Sequence, residues 1–305
     1  MGTLALLFPG QGSQFVGMGR ALFESSAPAR AVFEEADEVL GFALSRLCFE
    51  GPEEELQLTA NTQPAILTHS IAALAEMRDR TPERLEGTGF AAGHSLGEYS
   101  ACVAAGVLTF PDAVRLVRRR GEFMQEAVPP GAGAMAAIIG LPAADVEAAC
   151  REASGEDEVV SAANYNSPEQ TVIAGHAGAV ERASAACLTK GAKRAIRLPV
   201  SAPFHSSLMR PARERMRDLL DATGLANAVF PVVTNVDAEP AWRGELLRDT
   251  LVRQVDSPVR WVESVRRLAA EGVDRALEIG PGNVLAGLVR RIDKAIRVEA
   301  AAGPA

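Results

Sequence analysis

Ser95 lies between Gly93 and Gly97 in GHSLGEYS, residues 93–100, the pattern G-x-S-x-G. A serine in that pattern sits on a sharp turn between strand and helix, where flanking glycines let the backbone crowd without Cβ clashes. The turn exposes Oγ, and the next backbone N–H, that of Leu96, can stabilise an oxyanion. Gly and Ser are common, so a bare match also has a chance reading. Here the apolar GFAA (89–92) precedes it and a helical pattern follows, which favours a nucleophile.

A serine nucleophile needs a base, and the chain has four histidines. His94 adjoins Ser95 on the same turn and is expected to point elsewhere. His69 lies within a largely apolar helical segment and reads as structural. His176 opens a helix, where a capping or surface role suffices. His205, in SAPFHSSLM, follows a strand and is the best base by elimination. An α/β-hydrolase would place an acid at a strand end between Ser95 and His205. The acids in that interval fall mostly in helical stretches or in the small domain described below, so a plain hydrolase triad loses ground.

In AVRLVRRRGEFMQEA, at about 100° per residue, Val114, Leu116, Val117, Gly121 and Met124 share one helix face and Arg120 falls within it. Arg115 and Arg119 point away from that face, and Arg118 sits near its edge. An inward arginine is costly unless paired. Two readings stay open. One is an internal salt bridge. The other is a receptor for a substrate carboxylate, which a planar guanidinium grips with two hydrogen bonds.

The elements that must position these residues alternate. TLALLF (3–8) reads as a buried strand ending in the turn signals Pro9, Gly10 and Gly12. Helices are expected over 14–23, 66–77 and 96–108, with another capped by Thr109 that runs to about residue 127. VPPGAGAM then breaks the chain. Beyond it, strands over 134–139, 159–164, 170–175 and 193–200 enclose helices over 142–153 and 177–191. That order, βαββαβ, is a ferredoxin-like unit, so residues 128–199 look inserted into a larger α/β lobe. FPVVTNV (230–236) and RALEI (275–279) are further strands of that lobe.

The 305 residues suffice for two lobes, and the composition, 48% hydrophobic, is that of a globular chain without disorder. A net charge of −8 argues against nucleic acid as a partner. Four cysteines with no close pair fit reduced thiols and a cytoplasmic location, and no metal site is expected. The apolar run Leu4 to Phe8 is too short for a signal peptide or a membrane span. Leu6 stands where a myristoylation motif wants Ser or Thr. KGAKRAIR (190–197), with Arg118 and Arg119, is a candidate docking patch for an acidic partner or an ordinary solvated face. GPGN (280–283) reads as a structural turn rather than a phosphate cradle.

Taken together, LLFPGQGSQ, TQPAI, GHSLGEYSA, RRRGEFMQEA, GAGAMAAIIG, NYNSPEQTVIAG, SAPFHSSLM and EIGPGNVLAGL resemble the malonyl-CoA:acyl carrier protein transacylases, in that family's order along essentially the whole chain. The resemblance implies an α/β-hydrolase-like lobe, residues 1–127 and 200–305, with the ferredoxin-like subdomain at 128–199 inserted. It implies a ping-pong transfer from malonyl-CoA to the phosphopantetheine thiol of holo acyl carrier protein. Ser95 would carry the malonyl group, His205 would move the proton, and Arg120 would bind the malonyl carboxylate. The backbone N–H groups of Gln11 and Leu96 would form the oxyanion hole, and a backbone carbonyl near Gln254 would orient His205. Phe204 is the family's usual choice for malonyl. Asn164 and Asn166 match a stretch near the site, with no role assigned. No cofactor is implied, since the CoA thioester is a substrate, and a monomer is expected. Three other readings remain: a thioesterase or esterase using the same serine, a discrete acyltransferase of a polyketide pathway, and a catalytically silent docking subunit.

Overall fold

Ten strands form two sheets among the residues that the computed structural model describes, 2–200 and 202–301. Met1 and residues 302–305 of the expected large lobe, and Ser201 at the head of SAPFHSSLM, lie outside them. In chain order the strands are β1 (Thr3–Phe8), β2 (Thr88–Gly93), β3 (Gly133–Ile139), β4 (Val160–Ser167), β5 (Gln170–His176), β6 (Arg194–Arg197), β7 (Val232–Val233), β8 (Pro240–Ala241), β9 (Val273–Glu278) and β10 (Arg297–Ala300).

The larger sheet runs β10-β9-β1-β2-β7-β8, and every neighbouring pair is parallel except β7 with β8. β1 lies inside it with both faces covered, which is why TLALLF is an unbroken apolar run. Leu4, Leu6 and Phe8 enter one core, Ala5 and Leu7 the other. The smaller sheet, β4-β5-β3-β6, is antiparallel throughout. Its alternating residues divide between two cores. Ala134, Ala136, Ile138 and Ile173 pack under the helices Ala143–Ala153 and Ala177–Thr189. Met135, Ala137, Val172 and Ala174 face the main core. The small sheet is tied to the loop before the helix Trp261–Ala270, where Tyr165 N donates to the Val259 carbonyl (2.9 Å) and Val259 N to that of Ala163 (2.8 Å).

Several expected elements are shorter in the structure, among them the strand expected over 193–200, which keeps only Arg194–Arg197. The helix over 14–23 shrinks to Arg20–Ser25, because Gly17 and Gly19 adopt left-handed φ values of 102° and 81°. The helix over 96–108 covers Gly97–Ala104 and stops before Gly106, at φ 74°. The strand over 230–236 keeps Val232–Val233, after which Thr234 and Asn235 leave the sheet. One helix is longer than expected. Thr59–Arg80 runs straight through Pro64, which has no N–H for the Ala60 carbonyl. Arg118 Nη1 supplies the missing donor at 3.1 Å. Among the described residues no helix is long and apolar enough to cross a membrane.

Candidate active site

β2 ends at Gly93 and the helix Gly97–Ala104 begins four residues later, so residues 94–96 turn sharply between them. A Cβ on Gly93 would fall on the Gly97 carbonyl, and one on Gly97 would fall on the Phe8 carbonyl. The two glycines therefore let β1, β2 and the helix meet. Ser95 itself sits at φ 52°, a left-handed conformation unfavourable for serine. Buried Asn235, just past β7, clamps the turn: its Oδ1 accepts from Ser95 N and its Nδ2 donates to the Gly93 carbonyl, both at 2.7 Å. The site thus stands at the carboxyl ends of β1, β2 and β7, where open parallel sheets place their ligands.

His205 enters from the loop after the small sheet, at φ 59°. Its Nε2 lies 2.7 Å from Ser95 Oγ, and its Nδ1 lies 2.9 Å from the main-chain carbonyl of Gln254. A carbonyl can only accept, so Nδ1 carries the proton and Nε2 is left to accept from Ser95. Among the described residues no carboxylate pairs with His205. Burial, and then the Arg120 charge, push its pKa down to about 3, so the imidazole is neutral at physiological pH.

Arg120 is 1% exposed, on the helix Phe110–Glu126. Its Nη1 donates to Gln63 Oε1 (2.8 Å), and its Nη2 to Gln254 Oε1 (2.9 Å) and Ser95 Oγ (3.1 Å). All three partners are neutral. The internal salt bridge weighed from sequence is not found among the described residues, and the guanidinium faces the nucleophile with no carboxylate in contact. Arg118 and Arg119, by contrast, both pair with Glu122 at 2.8 Å.

These groups line a cleft of about 160 Å³. Gln11, Leu96, Asn164 and Asn166 share it with the apolar wall of Met124, Met135, Val172, Leu198, Val200 and Phe204. Among the described residues neither the Gln11 nor the Leu96 amide has a main-chain or side-chain acceptor. The Gln11 side chain is anchored on Thr59 Oγ1 at 3.3 Å. His94, expected to point elsewhere, also lines the cleft. Its Nε2 meets Asn166 Oδ1 at 2.8 Å and its ring packs on Trp261, so it bridges to β4 and does not reach Ser95 Oγ. His69 is buried within its helix, where desolvation lowers its pKa to about 4. His176 accepts from Val159 N at 3.0 Å rather than capping a helix.

Three contributors escaped the sequence reading: Gln63, Asn235 and Glu98. Each is a fully or almost fully buried polar residue. Gln63 stands in TQPAI and Asn235 at the end of a strand, places where an unpartnered polar side chain is itself a signal. Elsewhere, Glu278 accepts from Leu285 N (2.9 Å) and Ala286 N (2.7 Å), taking the amides a phosphate at GPGN would need. In KGAKRAIR, Lys190 pairs with Glu152, Lys193 with Glu169 and Arg197 with Glu181, which offsets most of its positive charge. Among the described residues no cluster of His, Cys, Asp or Glu is arranged to hold a metal ion.

Residues 5–303 match the family model described as acyl transferase domain. The chain is 50% identical to the malonyl CoA-acyl carrier protein transacylase of Bacillus subtilis, covering 100% of this chain and 95% of that protein. It is 51% identical to the protein of the same name from Escherichia coli, covering 96% and 93%. A crystal structure of an acyl carrier protein S-malonyltransferase from Vibrio cholerae superposes with a TM-score of 0.93 at 47% identity, covering 98% and 96%. A malonyl-transacylase in complex with its holo type II polyketide synthase acyl-carrier protein gives 0.94 at 46%, covering 98% and 95%. With this likeness running the full length of both partners, and with the Ser95–His205 pair set against an unneutralised Arg120, the chain belongs to the malonyl CoA-acyl carrier protein transacylase family.

Proposed function

We propose that this chain transfers a malonyl group from malonyl-CoA to the phosphopantetheine thiol of holo acyl carrier protein, through a malonyl ester on Ser95. The observation that carries the reading is the position of Ser95 Oγ, 2.7 Å from the basic nitrogen of His205 and 3.1 Å from a guanidinium nitrogen of Arg120. His205 Nε2 takes the Ser95 proton as Oγ attacks the thioester carbonyl. The Leu96 and Gln11 amides stabilise the oxyanion. As the tetrahedral intermediate collapses, the C–S bond breaks and His205 protonates the departing CoA thiol. The neutral imidazole then deprotonates the carrier thiol, whose sulfur attacks the ester; as the bond to Ser95 Oγ breaks, His205 returns that proton to Oγ.

Arg120 binds the malonyl carboxylate. That pairing has a second effect, because the Arg120 charge is one of the influences that depress His205. Neutralising it makes His205 a stronger base when a carboxylated acyl group is present, so donor choice and base strength are coupled. Phe204 and the apolar wall limit the room beside the malonyl methylene and keep water from the ester.

The finer architecture is read as an α/β-hydrolase-like lobe, residues 1–127 and 200–305, with a ferredoxin-like subdomain inserted at 128–199. The strand order β4-β5-β3-β6 and the two helices on one face support the second description. The reaction is written without a cofactor, and the protein as a cytoplasmic monomer. The four cysteines are free and buried, in keeping with that location. A discrete acyltransferase of a polyketide pathway would use the same residues, and the likeness to a transacylase bound to a polyketide carrier keeps that reading in view. Loading assays with a fatty-acid and a type II polyketide carrier protein side by side test it: at least tenfold preference for the fatty-acid carrier is expected, and the reverse preference assigns the polyketide role.

A further inference from the structure

Glu98 lies directly behind the nucleophile, 0% exposed, and the reaction above gives it no task. It is the second residue of the helix Gly97–Ala104. One of its oxygens, Oε2, accepts from Gln254 Nε2 (2.7 Å) and from the Asn235 amide (3.1 Å). The other, Oε1, has no partner among the described residues.

The Gln254 amide is held from both ends. On its nitrogen side stand the Glu98 carboxylate at 2.7 Å, the Ser95 carbonyl at 2.9 Å and, more distant at 3.4 Å, Asn235 Oδ1, and all three accept. On its oxygen side stands Arg120 Nη2 at 2.9 Å, which can only donate. One orientation of the amide suits all four neighbours. The flipped one would press an NH2 against a guanidinium and an oxygen against three acceptors. Remove Glu98, and the nearest of the acceptors that forbid the flip is gone.

We propose that Glu98 is the positioning residue that fixes the Gln254 side-chain amide and so aims the Arg120 guanidinium into the cleft. This rests on the reading of Arg120 as the carboxylate receptor. Glu98 acts chiefly on the carboxylate-binding arm. Its link to the reacting pair is indirect, through the Asn235 amide and Gln254 Nε2 behind the Ser95 turn, while His205 is held by the main-chain carbonyl of Gln254. The requirement is an acceptor oxygen at the right reach, not a charge. Glu98→Gln keeps such an oxygen. Glu98→Asp keeps the charge and withdraws the oxygen from Gln254 by one methylene.

The test compares Glu98→Gln, Glu98→Asp and Glu98→Ala with the wild-type chain. Three quantities are read: KM for malonyl-CoA, preference for malonyl-CoA over acetyl-CoA, and the rate at which a neutral alkyl phosphonofluoridate labels Ser95. The expected result is that Glu98→Gln stays within about threefold of wild type, while Glu98→Asp and Glu98→Ala raise the malonyl-CoA KM about tenfold or more and lower the malonyl preference to match. Phosphonate labelling should fall far less than malonyl binding in all of them, since it uses Ser95 and His205 and not the carboxylate-binding arm. If Glu98→Asp kept the wild-type KM and Glu98→Gln lost it, charge rather than positioning would be the role. If labelling and malonyl binding fell together, Glu98 would serve the fold alone. Should the alanine variant not fold, the Gln and Asp pair decides the question. A wild-type chain with no preference for malonyl over acetyl would instead remove the underlying reading of Arg120.

Discussion

At the scale of single residues, the proposed mechanism divides the site into a reacting pair and a recognition arm, and each has its own test. Ser95→Ala should lower transfer by about 10³-fold or more and leave no malonyl adduct in the intact mass spectrum. A retained adduct would assign another nucleophile. Arg120→Ala should lower kcat/KM for malonyl-CoA by about 10²-fold or more while changing that for acetyl-CoA far less, because only the carboxylated donor loses a partner. Kinetics with both donors checks this, and a variant that still strongly prefers malonyl contradicts it. Ser95, His205 and Arg120 were legible in the sequence because each breaks a local rule: a serine between crowding glycines, a histidine in a loop, an arginine on an apolar face. Gln63, Asn235 and Glu98 were not, because the partners that tie them to the site, Arg120, Ser95 and Gln254 in turn, lie 57 or more residues away along the chain. Glu98 meets Gln254 and Asn235 across more than a hundred residues, and no spacing rule reaches that far.

At the scale of elements, the helices Thr59–Arg80 and Phe110–Glu126 carry Gln63 and Arg120 into register. They crowd at Gly121, where a Cβ would lie 2.7 Å from Ala60 Cα and from the Thr59 carbonyl oxygen. Gly121→Ala should therefore force the helices apart, costing about 1–3 kcal/mol by urea unfolding and raising the malonyl-CoA KM. An alanine accepted at wild-type stability would mean that the contact is loose. The sequence made the second helix readable through its Thr109 cap and apolar face. It hid the first turn of the other helix behind Pro64, because a proline ordinarily marks a boundary. Arg118 lifts that rule by donating to the carbonyl that Pro64 leaves without a partner. The strand expected over 230–236 failed for a related reason. The residues read as its end, Thr234 and Asn235, give up sheet pairing, and Asn235 instead holds the nucleophile turn.

At the scale of the whole molecule, buried titratable groups tie stability to pH. His69 and His205 are held down at about 4 and about 3 from an ordinary 6.5. Below 6.5 the unfolded chain takes up protons that the native one refuses, so their contribution is complete above that pH and is lost as pH falls toward 4 and 3. Glu98, pushed up to about 7 chiefly by burial, acts with the opposite sign between 7 and its ordinary 4.5. Between about pH 6.5 and 4.5 Glu98 thus offsets one of the two histidines, and the loss they cause should be steeper between about 4.5 and 4, where both act unopposed. His69→Leu should flatten the slope between pH 6.5 and 4 in urea midpoints, and an unchanged slope would remove His69 as a cause. The division into two sheets was readable from the βαββαβ order, while the contacts that seat the small sheet on the rest of the chain, Tyr165 and Ala163 on Val259, join residues too distant in sequence to be paired by pattern. That seating closes the cleft in which an acyl group must survive until a thiol arrives. The most direct measurement is intact-protein mass spectrometry after brief mixing with malonyl-CoA, followed by holo acyl carrier protein. A malonyl adduct on Ser95 that forms and then moves to the carrier is the predicted result. An adduct that decays to free malonate with the carrier unloaded, or no adduct at all, would contradict the account.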